Sequence, residues 1–524
     1  MARNVLRSSL VMENLDTRAG WTYHDATKHS HQSVRIHQHF LDWGNQPLPF
    51  KIYSKAELLP FPQRFGEAGI AALQVIAEVA ERGSAVPDFQ NLGQLLHFSA
   101  GITRRRTWSG GQIYFRAAAC TGALYEIELY LACATLPDLE AGLYHYAADE
   151  FGLRRLRTGD FRRVLVEATA NEPSIASAPV IILCTGTYWR NAWKYQARTY
   201  RHFGWDNGTI LANLLAVSAS LAFPAKVIAG FVDAEINRLL DVDSEREVAF
   251  SLVPIGHVTD SPPPSPDNMS PLGLDTVPLS RREVDYPAMR RMHAASSLVL
   301  PKDVVDWRAG ASTRRHKEPV GKFLSLEPLG DAELPGDSIE QVILRRGSTR
   351  QFAREPISFA QLSTILDRST RGVAADFLHP FGTSLNDLYV IVNAVEGLPS
   401  GSYFYHRERR GLELLREGDF RRQAGDLGLE QELPADASVA IFFLADLEAI
   451  FGRYGNRGYR AVQLEAGIVG GKLYLAAYAL RLGASGLTFY DDDVVRFFSP
   501  HAEGKSAVFL VALGKRAKLS GIGA

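Results

Sequence analysis

The stretch GLYHYAADEFGLRRLRTGDFRR, residues 142–163, returns as GSYFYHRERRGLELLREGDFRR, residues 401–422, with 12 of 22 positions identical and no gap. The same offset of 259 residues lays Lys194-Tyr195 on Arg453-Tyr454, and Arg198, Tyr200 and Arg201 on Arg457, Tyr459 and Arg460. One residue shorter, it lays Phe231-Val232-Asp233 on Phe489-Tyr490-Asp491, and VPIG at 253–256 on VALG at 511–514. A period this long is too large for a solenoid and means two fused copies of a whole domain.

Length and composition fit that reading. A chain of 524 residues has room for two to four domains, and the repeat selects two of about 200 residues each, plus connectors. Hydrophobic content of 46% and charged content of 22% are those of an ordinary globular protein. A net charge of −1 gives no global attraction for nucleic acid or an anionic membrane, so any anion site is local. The expected partner is a small-molecule or peptide substrate. Cys120, Cys133 and Cys184 lie far apart with no CxxC spacing, which suggests neither zinc nor a disulfide framework and fits a reducing compartment. His24, His29 and His31 have no ligand partners at useful spacing, so no metal is expected. The apolar stretch 210–232 is interrupted by Asn213, Pro224 and Lys226, the pattern of a buried helix followed by a strand rather than a membrane span. With no apolar N-terminal run to act as a signal, the expected location is cytoplasmic.

Residues 1–65 show little periodicity and read as an irregular wrapping segment. The first domain is assigned to 66–258. There GEAGIAALQVIAEVAERG predicts a helical region from 66 to 100, ELYLACATL and PVIILCT predict strands, and GLYHY predicts an exposed or half-buried strand. A long apolar helix is expected at 209–221 and a closing strand at 249–255. DSPPPSPDNMSPLGLDTVP opens a segment, 259–337, too rich in proline and turn formers to build a core, and reads as a surface linker. The second domain, 338–524, repeats the order: helices from Ser338 and Ser358, strands at 389–393 and 440–444, a long helix at 461–482 and a closing strand at 507–513. Helices mixed with antiparallel-looking strands argue α+β. Two copies in one chain argue an intramolecular pseudo-dimer.

Chemistry concentrates in the second copy. RRGSTR at 345–350 and GKRAK at 514–518 supply guanidinium forks, hydroxyls and ammonium groups, the donors a phosphate monoester needs. The first copy has VIAEVAER and His257-Val258 at those places, so a single ligand site is expected. A basic hexamer can also be a solvated helix face. Gly467, Gly470 and Gly471 mark either close approach to the other copy or plain helix packing. Asp491, Asp492 and Asp493 are expected to cap a helix beginning at Val494.

Arg346, Ser348 and Arg350 in an R-x-S-x-R element, the following ISFAQLSTIL, the YRAVQLEAG helix, the GLTFYDDD turn and the terminal GKR together resemble the flavin-dependent nitroreductase family. YHDATKHS, LLHFSAGITRR, FRAAACTGALYEIELY and RNAWKYQARTYRH in the first half narrow the resemblance to the branch of azoline-forming peptide dehydrogenases. The resemblance implies two nitroreductase-like domains fused in tandem, with FMN at their interface. It implies that Arg346, Ser348, Arg350, Lys515 and Arg516 hold the FMN phosphate. The partner copy's R-x-x-P-S-x-G segment corresponds to Arg116, Cys120 and Gly122, with Ala119 and Cys120 departing from the pattern. Cys120 is then either a small buried residue or an exposed low-pKa thiolate. Lys194-Tyr195 matches a pair associated in that branch with azoline oxidation, in which a desolvated lysine or a tyrosinate takes a carbon-bound proton as hydride leaves. Read without the resemblance, Lys194-Tyr195 is equally a surface helix with an amphipathic tyrosine. The implied activity is an FMN-dependent dehydrogenase. The alternatives are an NAD(P)H-dependent nitro or quinone reductase and, in another class, a non-catalytic flavin- or peptide-binding scaffold.

Overall fold

Two antiparallel sheets carry the same strand order. In a computed structural model that describes residues 14–36, 39–66, 68–79, 85–108, 111–266, 269–309 and 318–517, the first sheet runs Leu58–Pro60, Gly152–Thr158, Gly142–Ala147, Ile127–Cys133, Val180–Thr187, Glu247–Ile255. The second runs Phe323–Ser325, Gly411–Glu417, Gly401–His406, Asn386–Val392, Val439–Ala445, Ser506–Gly514, and ends on one more strand, Gly483–Leu487. Every neighbouring pair is antiparallel. Where the second sheet has its last strand, the first has isolated bridges from Ala225 to Ile255 and from Ile228 to Leu252. Together with the flanking helices this is a mixed α+β architecture.

The repeated hairpin lies deeper than its alternation predicts. Gly142–Ala147 is buried along its whole length, because the segment around Phe50, Tyr53 and Phe61, itself buried, covers the face that the polar positions would otherwise turn to water. The Tyr53 and His145 rings meet edge-on at 5.2 Å, and His145 Nε2 lies 3.0 Å from Glu128 Oε2. Period-two patterning records one apolar face; it says nothing about what another segment lays on the polar face.

Two long helices, Thr199–Ser220 and Arg457–Ala479, form the centre and are buried almost throughout. They touch along glycines. A Cβ on Gly208 would lie 2.5 Å from Gly467 Cα, one on Gly467 would lie 2.5 Å from the Trp205 carbonyl oxygen, and one on Gly471 would lie 2.5 Å from Ala212 Cβ. Gly467 and Gly471 therefore mark close approach to the other half, whereas Gly470 faces Phe509 of its own sheet. The first helix begins ten residues before the expected start at 209, since its polar first turns are satisfied by partners in the other half.

Four other expectations are corrected. The helical region expected from 66 is only Ala72–Val75 before the chain turns, because Ala71 bridges Ser338 and the Ala72 amide donates to the Asp337 carbonyl; residues 80–84 lie outside the described residues. A separate helix, Phe89–Ala100, starts at a capping box between Asp88 and Asn91. The segment 259–337 is more than a surface linker: prolines open the helices Pro287–Ala295 and Pro301–Ala309, which bury Met289, Met292, Val304 and Trp307. The acidic turn does not cap at Val494, since the helix already starts at Asp491. The first 65 residues also contain ordered helices, Arg18–Ala26 and His31–Ile36.

Candidate functional site

The first turns of the two central helices bring four arginines to the contact between the halves, and each pair meets a carboxylate of the opposite half. Arg198 and Arg201 reach Asp491 at 3.2 and 2.6 Å; Arg457 and Arg460 reach Asp233 at 2.5 and 2.6 Å. The surroundings match bond for bond. Arg201 donates to Thr27 Oγ1 and to the His24 carbonyl at 3.0 and 2.7 Å, and Arg460 donates to Ser296 Oγ and the His293 carbonyl at 2.8 and 2.9 Å. The His29 amide donates to Asp491 as the Leu298 amide donates to Asp233. Helix Arg18–Ala26 and helix Pro287–Ala295 thus make equivalent bonds. Burial pushes the Asp491 carboxyl up, but Arg198 and Arg201 outweigh it and hold it at about 2. Both alignments were legible as arginine on arginine and aspartate on aspartate; their crossing over between halves was not.

The two basic clusters of the second half come together near the far end of the second central helix, at Tyr474 and Tyr478. Backbone bonds tie residues 349–353 to the chain just past strand Ser506–Gly514 and to strand Gly483–Leu487: Ala353 N to Lys515 O at 2.9 Å, Ala517 N to Gln351 O at 3.0 Å, and Thr349 N to Ala484 O at 2.9 Å. Arg345 closes helix Ile339–Arg345, so Arg346, Ser348 and Arg350 lie on the loop beyond it rather than on a helix face. Arg346 crosses to the first half, donating to the carbonyls of Ala117 and Arg116 at 2.9 and 2.8 Å, and lies over the Tyr474 ring. Ser348 Oγ is 3.4 Å from Tyr474 OH, and Arg516 lies over the Tyr478 ring at 5.5 Å. Arg350 is exposed. Among the described residues, Arg346, Arg350 and Arg516 have no carboxylate partner, and Lys515 has only Glu355 at 3.5 Å.

The facing wall comes from residues 116–126 of the first half. Arg116 donates to the Pro49 carbonyl at 2.7 Å and lies between the Phe50 and Tyr125 rings, so its side chain braces the wall while its carbonyl receives Arg346. Gly122 has φ +66°, and a Cβ there would meet Tyr195 OH at 2.9 Å; both the backbone and the tyrosine demand glycine. Cys120 Sγ lies 3.4 Å from both Glu126 Oε2 and Asp206 Oδ2 and receives the Tyr125 amide at 3.0 Å. Burial, then Asp206 and Glu126, push the Cys120 thiol well up, so it is a protonated thiol rather than a reactive thiolate. Asp206 accepts from Thr121 N and Oγ1 at 2.9 to 3.0 Å, yet burial and Glu126 push its carboxyl well up. Asp206 therefore stays protonated beside Glu126. Cys120, Glu126 and Asp206 each place one atom within 4.8 Å of the others. Histidine spacing could not reveal this group, because two segments 80 residues apart assemble it from a cysteine and two acids.

Lys194 and Tyr195 close helix Tyr188–Tyr195 on the same side. Lys194 is exposed, its Nζ 5.3 Å from the Tyr195 ring centre, so a desolvated lysine is not what the fold provides. Tyr195 is half-buried, and burial, then Asp206 and Cys120, push its phenol up, against a smaller pull from Arg350. It stays protonated, and a tyrosinate is disfavoured for that reason.

An α+β protein with unpaired cations of one half facing a buried acid and tyrosine wall of the other is a mixed α+β nitroreductase-like fold. Residues 343–515 match the model of the nitroreductase family. A provisionally named nitroreductase of Methanocaldococcus jannaschii is 29% identical over 166 residues, which span 30% of this chain and 81% of that protein. A crystal structure of a provisionally named nitroreductase from Anabaena variabilis superposes with a TM-score of 0.75 at 27% identity, covering 95% of this chain and 99% of the other. These matches support the nitroreductase family and an oxidoreductase of that superfamily. No helix among the described residues is long and apolar enough to cross a membrane.

Proposed function

We propose that the chain is an FMN-dependent oxidoreductase built as an internal pseudo-dimer, with one flavin between its halves, and that its reaction is substrate dehydrogenation of the azoline-oxidising kind. The observation that carries this is the set of cations at Arg346, Arg350 and Arg516, gathered in one place without carboxylate partners. A guanidinium without a carboxylate partner is free to make charge-assisted bonds, and a phosphate dianion supplies several acceptors. These donors fit the FMN phosphate, with Ser348 and Lys515 beside them. Bound FMN would supply two-electron chemistry by accepting hydride. The chain's own residues divide the remaining work. Tyr195, held protonated, donates a hydrogen bond to the substrate and orients it; Lys194, exposed at the mouth, adds a second donor that positions the substrate, whose carbon-bound proton leaves to solvent there. Gly122 leaves room for the tyrosine, and the protonated Asp206 keeps the wall from accumulating negative charge.

A single flavin follows from the asymmetry of the copies. The first copy has Val79 and its neighbours in place of the arginine loop, and on that side Trp307 packs against Tyr454, the counterpart of Tyr195, at 5.4 Å. The names of the two relatives favour a second reading, an NAD(P)H-dependent nitro or quinone reductase. Rapid reduction of the bound flavin by NAD(P)H in stopped flow would choose that reading over the first. Purified protein without a flavin spectrum, and not reconstituted by FMN, would leave only a non-catalytic scaffold. The proposed roles separate in variants. Arg346→Ala and Arg350→Ala should lose flavin, whereas Lys194→Ala and Tyr195→Phe should keep flavin and lose about ten- to a thousandfold in turnover. Unchanged turnover in both of the latter rules out the dehydrogenase chemistry written here.

A further inference from the structure

On the side opposite the cation cluster, helix Pro301–Ala309 and Arg453-Tyr454 enclose a cavity of about 160 Å³. Its floor is apolar, with Leu298, Val299 and the Trp307 ring. Arg453 is half-buried with its guanidinium 4.2 Å above the Tyr454 ring, and its Nε and Nη1 are buried without an acceptor among the described residues. The Tyr454 hydroxyl donates to the Phe377 carbonyl at 2.7 Å. Trp307 Nε1, from the facing helix, is also buried without a partner among the described residues. Buried donors left unmade cost free energy that an acceptor entering the cavity recovers, the more so when the donor is charged.

We propose that this cavity is a binding site for a small monocarboxylate with a branched apolar body. The carboxylate bonds to Arg453, with Trp307 Nε1 as an added donor, and the body rests on Leu298, Val299 and the indole. The charge is set by the far wall. Asp303 spends its carboxylate on the amides of Val299 and Leu300, at 3.2 and 2.8 Å, and Asp306 pairs with Lys302 at 2.5 Å. Two acids on one wall repel a phosphate dianion more than a monoanion that keeps its head on the arginine. Arg453 stands where the other copy has Lys194. The pocket is thus what remains of a substrate mouth after Trp307 and its helix closed the space behind it, and its ligand does not depend on flavin.

Isothermal titration of the purified full-length chain with isobutyrate tests the assignment. Saturable binding of one isobutyrate per chain is expected, with no heat of binding from isobutyramide, the neutral isostere, or from inorganic phosphate. Arg453→Gln should weaken isobutyrate about tenfold or more, while Arg350→Gln, in the other cleft, should leave it unchanged. Absence of saturable binding, equal binding of isobutyramide, tighter binding of phosphate, or loss of binding in Arg350→Gln instead of Arg453→Gln each overturns the proposal. The isobutyramide comparison uses the unaltered protein, so it decides the matter even if Arg453→Gln does not fold.

Discussion

Asp491 and Asp233 each hold two buried arginines, which makes them costly to neutralise. Replacing Asp491 by Asn keeps the shape and removes the charge, leaving Arg198 and Arg201 buried beside each other. Breaking such a group from one side is expected to cost about 3 to 5 kcal/mol, and Asp233→Asn should match it because its partners repeat; chemical denaturation of the two variants checks this. The same residues govern acid stability. Asp491 gives up its proton more readily folded, at about 2, than unfolded, near the usual aspartate value. The stability it contributes is full above roughly pH 4 and is lost as pH falls toward about 2. By the size of that shift it is on the order of 2 kcal/mol. His24 and His293, pushed well down by burial and then by Arg201 and Arg460, enter the fold neutral, so unfolding binds protons and stability declines from roughly pH 6.5 downward. A melting temperature flat between pH 6 and 3 contradicts both assignments.

Between the two central helices, contact is made at a spacing that only glycine permits. Gly208→Ala would set its methyl 2.5 Å from Gly467 backbone, where neither partner is a flexible side-chain tip, so the helices must separate at a cost of about 1 to 3 kcal/mol. Gly452→Ala is the matched control. It is exposed within helix Leu447–Tyr454 with nothing near its Cβ, and should stabilise by about 0.5 to 1 kcal/mol through helix propensity. Thermal melts of the pair are expected to shift in opposite directions. These elements also mark how far sequence reaches. Ser358, three residues before Gln361, announces its helix because capping is local chemistry, and the apolar runs at 180–187 and 439–445 announce buried strands. The run GEAGIAALQVIAEVAERG fails for the opposite reason: its periodicity is helical, but pairing of Ala71 with Ser338 across 267 residues overrides it. The prolines at 287 and 301 read as breakers, yet each begins a helix that buries apolar residues. In the candidate site, the cations were legible as a cluster and Gly122 as a motif position. Asp206 and Glu126 were not, since acids 80 residues apart carry no signal until the fold joins them.

At the scale of the whole molecule, the crossed pairs Arg198/Arg201 with Asp491 and Arg457/Arg460 with Asp233 have the self-complementary pattern of a two-fold interface. Residue i meets j in the other half, and the repeat of j meets the repeat of i. Each half also borrows from the other. Arg346 of the second half ends on carbonyls of the first, and the helix Arg18–Ala26, at the start of the chain, bonds both to Arg201 and, through His24, to Tyr459. If the cofactor sits between the halves, neither half alone retains it. Residues 1–282 and 283–524, expressed separately, should each be colourless and less stable than the intact chain, with the arginines of each carboxylate pair left unanswered. Mixed in the presence of FMN, they should reassociate one to one and take up a single flavin for each pair, measured by absorbance and by phosphate released on denaturation. Full flavin content in the isolated 283–524 segment would show that the second copy needs no roof from the first, and two flavins for each intact chain would show that the first copy keeps a site of its own despite lacking the arginine loop.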